Sequence, residues 1–114
     1  MIIGVGIDLV DVERISRAME NPRFVQRVLT AAEQRYCRTP EGVAGRWAAK
    51  EAIAKAVGID VTWQQVEIIN GKSGAPEAKI LVDGFDHSKT KVHLSITHER
   101  GHAAAVVVFE KIQA

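Results

Sequence analysis

The run AAAVVVF, from Ala103 to Phe109, is apolar at every position. A strand with one face in water alternates apolar and polar residues, so an unbroken apolar strand has to be covered on both faces. A helix of the same chain can cover one of them. Because a chain of 114 residues has little further material for the other face, we expect a second copy of the chain to cover it. This strand therefore predicts an oligomer.

The N-terminal run MIIGVGIDLV has the alternation of a first strand over residues 2–10. It lacks the basic start and the cleavage pattern of a signal peptide, and Asp8 interrupts it. One face of this strand is expected to be core and carries four aliphatic residues: Ile3, Val5, Ile7 and Leu9. On the other face, Gly4 and Gly6 leave space just before Asp8. An acid at such a position is either a cap at the end of the strand or a functional group.

Three short helices are predicted next. Asp11 is placed to cap a helix of about ten residues, which Asn21-Pro22 breaks. A second helix covers RFVQRVL. Thr30 caps a third, AAEQRYC, with Glu33 at the capping-box position.

A long helix occupies the centre of the chain. It opens at Thr39-Pro40, covers about residues 41–57 and ends at Gly58. Strand-like runs follow over Val66–Ile69 and Ala78–Val82, and the chain ends in a hairpin of VHLSITH and AAAVVVF. These elements predict one α+β domain spanning the whole chain, with the long helix packed on a small antiparallel sheet.

Composition excludes several classes of function. The net charge of +1 gives no bulk attraction for a polyanion, so we expect no nucleic-acid partner. No apolar run approaches 18 residues, and no membrane-spanning segment is expected. Cys37 is the only cysteine, which rules out an internal disulfide and fits a reducing compartment. We expect a cytoplasmic protein.

The long helix carries charges that a purely structural helix does not need. Glu51 and Lys55 lie one turn apart, opposite the main apolar arc. They are either a helical ion pair worth about 0.2–0.5 kcal/mol or part of a site with Asp8. If Asp8 and Glu51 faced one gap, they would form the pair of oxygen ligands that Mg²⁺ prefers, and Lys55 and Arg46 would neutralise phosphate charge. Periodicity alone does not show that the strand and the helix meet.

Three stretches carry a resemblance to a known family: GIDLVDVERI at 6–15, AGRWAAKEAIAKAVG at 44–58 and HLSITHE at 93–99. RFVQRVLT at 23–30 and the order of the elements agree with it. Over nearly its full length the chain resembles the small holo-acyl-carrier-protein synthases, the compact branch of the 4′-phosphopantetheinyl transferases.

The resemblance implies a fold, an assembly and a reaction. The fold is that of the 4′-phosphopantetheinyl transferases, assembled as a homotrimer with each active site between two subunits. The reaction moves phosphopantetheine from coenzyme A to a serine of apo-acyl carrier protein, requires Mg²⁺ and releases adenosine 3′,5′-bisphosphate. The product is holo-acyl carrier protein for fatty-acid biosynthesis.

The resemblance also implies roles for particular residues. Asp8 and Glu51 would hold the metal and Lys55 would contact the pyrophosphate, so these three are the predicted catalytic residues. Phosphoryl transfer depends mainly on positioning and charge neutralisation. The proton of the attacking serine would go to a metal-bound water held by a carboxylate or to Glu51 itself.

The nucleotide would be bound by a second group of residues. Arg46 and His98 would bind its 3′-phosphate, Lys55 its pyrophosphate, and the turn at Gly74 and Pro76 would lie along its adenine. Thr97 is a further candidate to hydrogen-bond a phosphate, although a threonine in a strand needs no such explanation. Similar enzymes commonly have a basic residue between the glycine and proline of this turn, whereas this chain has Ala75, so Lys72 would have to replace it.

Four arginines crowd the first two predicted helices, which is typical of a solvated helix face. The resemblance implies that an acidic acyl carrier protein docks in this region, where complementary charge would speed encounter and set register. The residues predicted to contact the carrier are Arg14, Arg23 and Phe24.

Two other functions remain as alternatives. The chain could be a non-catalytic module that binds coenzyme A or the carrier protein. It could also be a Mg²⁺-dependent pyrophosphohydrolase that uses water as its nucleophile, although the paired-glutamate helix familiar in those enzymes is absent from the sequence.

Overall fold

Residues 1–112 are the part of the chain that the computed structural model describes, and in them four helices follow the first strand and four further strands follow the helices. In chain order they are β1 (Ile2–Asp11), α1 (Val12–Ala18), α2 (Pro22–Val28), α3 (Ala31–Tyr36), α4 (Pro40–Val57), β2 (Val66–Asn70), β3 (Pro76–Ile80), β4 (Thr90–Glu99) and β5 (His102–Lys111). A short 3₁₀ turn, Trp63–Gln65, precedes β2. Within this described part, no helix has both the length and the apolar character needed to cross a membrane.

The strands form two antiparallel sheets, which confirms the predicted α+β class. The larger sheet has the order β1-β5-β4, so the apolar final strand lies at its centre. β1 pairs with β5 from Gly4 opposite Phe109 to Asp11 opposite His102. β2 and β3 form a separate hairpin.

Helix α4 packs on β1, β5 and β4, and two glycines of β1 let it approach closely. A Cβ built on Gly6 would lie 1.8 Å from the Ala52 carbonyl oxygen, and one on Gly4 would lie 2.7 Å from that of Ala56. No side chain fits in either place. The glycines therefore make room for the helix backbone, and the space that they clear on β1 is filled by α4.

The outer face of the larger sheet, which points away from α4, carries the aliphatic residues of β1. Ile3, Val5, Ile7 and Leu9 are 50%, 59%, 65% and 67% exposed. The prediction that this face is core is therefore wrong for a single chain, because the glycine face is the one that α4 covers. In β5, alternate residues point to α4 and are buried (Ala103, Ala105, Val107 and Phe109). One face of the final strand is thus covered as predicted, and the outer face is open.

The caps predicted at Asp11 and Thr30 and the helix start predicted at Thr39-Pro40 are confirmed, and Asn21, expected only to break the preceding helix, is a cap as well. The side chains of Asp11, Asn21, Thr30 and Thr39 each accept a backbone N–H at the start of their helices, and Gly58 ends α4 in a left-handed conformation with φ 78°. Helix α1 has seven residues instead of about ten. It ends early because Glu20 and Asn21 donate to the carbonyls of Arg17 and Ala18 in a tight turn, and Asn21 is extended before Pro22.

Candidate functional site

Asp8, Glu51 and Lys55 lie on one side of α4, called here the Asp8 flank. Lys55 Nζ donates to Asp8 Oδ1 at 3.1 Å and to the Ile7 carbonyl at 2.9 Å. The Asp8 side chain is 16% exposed and that of Lys55 is 54% exposed. The structure thus brings together a strand residue and a helix residue 47 positions apart in the chain.

Glu51 shares this flank because of the way β1 lies along the helix. Gly4 lies against the Ala56 carbonyl and Gly6 against that of Ala52. A step of two residues along β1 therefore corresponds to a step of four residues along α4. Two strand steps and four helix steps both span roughly 6 Å. The next residue on the same face of β1 is Asp8, which therefore faces the turn of α4 that precedes Ala52 and includes Glu51.

Glu51 has no charged partner among the described residues. None of the five ion pairs found in residues 1–112 includes it, so the helical ion pair between Glu51 and Lys55, one of the two alternatives left open by the sequence, does not form. Its half-buried side chain borders a cavity of about 170 Å³ beside Ala54, Val61 and Trp63. Lys55 instead pairs with Asp8, because its long side chain reaches across to β1.

The donor set of the Asp8 flank suits a hard cation that is only partly bound by protein. Two carboxylates are present, and residues 1–112 contain no cluster of three or more His, Cys, Asp or Glu side chains arranged to hold a metal. Mg²⁺ typically takes one or two protein carboxylates and fills its remaining positions with water and phosphate oxygens. The residues present fit such an ion and do not fit a metal that needs a closed protein cage.

The opposite side of α4 carries Arg46 beside the β2–β3 hairpin. Arg46 Nη2 donates to Asn70 Oδ1 at 3.3 Å, and Asn70 pairs with Pro76 at the start of the turn. Gly74 closes that turn with φ 84°. The structure therefore brings Arg46, Gly74 and Pro76 into one region, called here the Asn70 flank. Arg46 Nε is buried and has no hydrogen-bond partner in the described part of the chain.

His98 lies next to the first half of α4. Its Nε2 is 2.9 Å from the Glu41 carbonyl, which requires that nitrogen to carry the proton and donate. A Cβ at Gly45 would lie 3.0 Å from His98 Nε2. Gly45 therefore makes room for the imidazole. A glycine inside an alanine-rich helix indicates such a close contact, and the sequence analysis did not use this signal.

The prediction that Arg46 and Lys55 act at one gap is wrong for a single chain. They are nine residues apart on α4, which is two and a half turns and about 14 Å along the axis. Their side chains therefore point to opposite sides, as their separate partners Asn70 and Asp8 also show.

Thr97 and His98 are also separated, because successive strand residues point to opposite faces of a sheet. Thr97 borders a shallow depression on the outer face with Ile7, Ser95 and Val106. His98 points to α4. Within one chain these two residues do not meet.

A basic groove of about 700 Å³ runs along α1 and α2. Arg17, Arg23 and Arg27 line it with Phe24 and one acid, Glu20. Phe24 is only 9% exposed and stacks on Trp47 at 5.7 Å between ring centroids. Phe24 is thus largely buried at the edge of the groove, and its role as a docking contact stays a prediction.

Arg14 also lies over the Trp47 ring, with its guanidinium carbon 5.4 Å from the ring centroid. It is exposed. Arg14 and Arg23 are therefore both accessible, as a docking role requires.

A model of the 4′-phosphopantetheinyl transferase superfamily matches residues 4–107. The chain belongs to this superfamily. Holo-[acyl-carrier-protein] synthases are among its relatives: the one from Exiguobacterium sibiricum is 44% identical over 97% of this chain and 91% of its own length. The one from Oceanobacillus iheyensis is 45% identical over 96% of this chain and 98% of its own length.

Solved structures of superfamily members agree with the fold. The holo-(acyl-carrier-protein) synthase from Bacillus anthracis in complex with CoA (3′,5′-ADP) has a TM-score of 0.84 and 36% identity, covering 98% of this chain and 99% of that one. The synthase from Neisseria meningitidis has a TM-score of 0.86 and 32% identity, covering 97% and 100%. The resemblance read from the three sequence stretches is confirmed.

One ion pair of this transferase chain was missed by sequence reasoning. Lys50 and Glu33 are 2% and 0% exposed, and they pair at 2.5 Å. Burial lowers the pKa of Lys50, and the hydrogen bond that Lys50 donates to Glu33 opposes that shift. Glu33 was recognised only as part of a capping box, which does form. The charge of Lys50 was the available signal, since a lysine at the edge of an apolar arc needs an acid when the helix is covered.

Proposed function

We propose that this chain transfers 4′-phosphopantetheine from coenzyme A to a serine hydroxyl of an apo-acyl carrier protein, giving the holo-carrier for fatty-acid biosynthesis. The observation that carries this proposal is the Asp8 flank, where Lys55 pairs with Asp8 on the side of α4 that also carries Glu51, on the fold of this superfamily. Two carboxylates and a lysine at one place match the needs of a diphosphate that is bound through Mg²⁺.

Asp8 and Glu51 are the residues that would hold Mg²⁺. The ion, when bound, supplies positive charge that stabilises the leaving bisphosphate. Lys55 neutralises diphosphate charge directly, since its ammonium is half exposed and its partner Asp8 lies at the same place. Glu51 is also the side chain best placed to accept the serine proton, because no other charged group of the described chain engages it.

The Asn70 flank would bind the nucleotide end of coenzyme A. A buried donor without a partner, such as Arg46 Nε, calls for an acceptor from outside the chain, and a 3′-phosphate supplies one. His98, beside the same half of α4, would as an imidazolium add a second donor through Nδ1. The exposed turn at Gly74 would lie along the adenine, with Pro76 at its end.

The two flanks imply that two subunits form each site. The 3′-phosphate and the 5′-diphosphate of coenzyme A are attached to the same ribose, whereas Arg46 and Lys55 point to opposite sides of α4. A single chain therefore cannot offer both to one molecule. A homotrimer that buries the outer face of the sheet would bring the Asp8 flank of one subunit to the Asn70 flank of the next, with Thr97 on the buried face.

The basic groove is the proposed docking surface for the acidic carrier protein. Arg14 and Arg23 would fix its register, and Arg17 and Arg27 would add to the positive field. The carrier brings the serine nucleophile. This chain therefore needs only to position the two substrates, neutralise the diphosphate charge and accept the serine proton.

The decisive experiment is mass spectrometry of apo-carrier protein incubated with coenzyme A, Mg²⁺ and the chain. We expect the carrier to gain the mass of one phosphopantetheine. An unchanged carrier mass with retained coenzyme A binding would instead identify a binding module. Cleavage of coenzyme A at full rate without any carrier would identify a pyrophosphohydrolase.

A further inference from the structure

The end of α2 is held to the rest of the chain by an unusual number of side-chain donors. Lys50 Nζ donates to the Val28 carbonyl at 2.7 Å, and Gln64 Nε2 donates to the carbonyls of Gln26, Arg27 and Leu29 at 3.0, 3.1 and 2.9 Å. The last carbonyls of a helix lack partners within it. Here two residues from outside the helix, one on α4 and one in the 3₁₀ turn, lie within hydrogen-bond distance of four consecutive carbonyls.

Lys50 uses all three of its donors inside the protein. The other two go to Glu33 at 2.5 Å and to the Trp63 carbonyl at 2.9 Å. Glu33 in turn accepts the backbone N–H groups of Thr30 and Ile68, each at 2.8 Å. A single buried pair therefore joins α2, α3, α4, the 3₁₀ turn and β2.

The position of this pair relates it to the reaction. Lys50 immediately precedes Glu51 on α4, and both border the same 170 Å³ cavity. Val28 ends the helix that carries Arg23 and Arg27, two residues of the basic groove. The bond from Lys50 to Val28 thus links the proposed docking surface directly to the proposed proton acceptor.

We infer that Lys50 and Gln64 are positioning residues for the carrier protein, which hold α2 in register with Glu51 so that a docked carrier presents its serine to the Asp8 flank. This inference rests on the proposed function. A buried ion pair is not required for stability as such, because an apolar or neutral replacement of both partners is often neutral. Holding one element in a particular register is a role that such a pair does fill.

The test separates positioning from stability by removing both charges together. Lys50→Met/Glu33→Gln leaves an amide that still accepts from Ile68, and it removes the bond to the Val28 carbonyl. We expect kcat/KM for the apo-carrier to fall about tenfold, the loss typical of a charged hydrogen bond, while KM for coenzyme A changes less than about twofold. Asp83→Asn/Lys89→Met, which removes one acid and one base from an exposed loop, is the matched control and should change neither.

Gln64→Leu provides the same test at an exposed residue, where loss of folding is not a concern. We expect a smaller loss of about threefold, again confined to the carrier. Equal losses for the carrier and coenzyme A, or no loss in either variant, would overturn the inference. If the wild-type chain itself forms no holo-carrier, the proposed function fails instead, so the two failures are distinguishable.

Discussion

The two lysines of α4, Lys50 and Lys55, are five residues apart and lie in opposite environments. Lys50 is buried, and all three of its donors go to protein acceptors. Lys55 is half exposed, and its partner Asp8 lies beside an acid that has no partner of its own in the described chain. The charge of Lys50 is bound entirely by groups of the protein, whereas the charge of Lys55 remains accessible to a ligand.

Because of this difference, one alanine-rich helix can contribute both to the core and to the candidate site. The alanines let β1 and the small helices pack closely around α4, so a charge there is either neutralised internally or directed into a gap. Substitutions on the two sides should accordingly separate stability from activity.

Lys50→Met alone should destabilise the chain by about 3–5 kcal/mol, because it leaves Glu33 buried without its charge partner. Lys55→Met should cost less than about 1 kcal/mol, since its ion pair with Asp8 is partly exposed to water. Urea denaturation of the two variants checks the comparison. Equal losses of stability would show that the two sides of α4 do not differ as described.

Glu51→Gln should reduce transfer at least about 100-fold, the scale of removing one electrostatic contact to a transition state. Its thermal midpoint should stay close to that of the wild type, because none of the ion pairs found in residues 1–112 involves Glu51. Steady-state kinetics and circular dichroism measure the two quantities. Normal transfer by this variant would remove Glu51 from the site.

Ile7→Asp should break the assembly, because it places a carboxylate on the outer face where another subunit would bury it. Sedimentation should show the mass falling from trimer to monomer, with transfer reduced at least about tenfold since the site would lose its second subunit. Leu81→Asp is the matched control: Leu81 is 56% exposed, compared with 65% for Ile7, and it follows β3 of the separate hairpin. A monomeric wild type, or an active Ile7→Asp monomer, would contradict the two-subunit site.

Arg23→Glu should raise KM for the carrier about fivefold to tenfold and leave KM for coenzyme A within about twofold. The reason is charge repulsion at an exposed residue of the basic groove. Raising the salt concentration should shrink the difference from wild type. A parallel rise in both KM values would count against docking at the groove.

Glu110→Gln should have the smallest effect on stability, and that effect should depend on pH. The hydrogen bond from His93 holds the pKa of Glu110 below its ordinary value. Its folded pKa lies below its unfolded one, so the stability that it contributes is present above about pH 4.5 and is lost as the pH falls through the folded pKa. Thermal midpoints of the variant and the wild type should therefore differ slightly at pH 5.5 and converge in strong acid. A difference that grows in acid would contradict this assignment.

Local features were predictable from the sequence because they depend on neighbouring residues. The caps at Asp11 and Thr30, the stop at Gly58 and the final hairpin belong to this class. The candidate site was only partly predictable. The sequence placed Glu51 and Lys55 on one side of the helix and singled out Asp8 on the first strand, and family resemblance was needed to bring the strand and the helix together.

The remaining errors arose from packing, which periodicity does not encode. The alternation in β1 identified its two faces but not which one the helix covers, and Gly6 decides that by admitting the α4 backbone. The pairing of Lys50 with Glu33 depends on how α3 docks on α4. The opposite directions of Arg46 and Lys55 are a different case, because their nine-residue spacing on one helix already separates them.

The convergence of Asp8 and Glu51 on one divalent cation is tested most directly by crystallography with Mn²⁺ and coenzyme A, using the anomalous signal of the metal. We expect one peak per subunit, with an oxygen of each carboxylate and a diphosphate oxygen all at about 2.0–2.3 Å. A peak held by only one of the two carboxylates, or two separate peaks in different cavities, would contradict the proposed site.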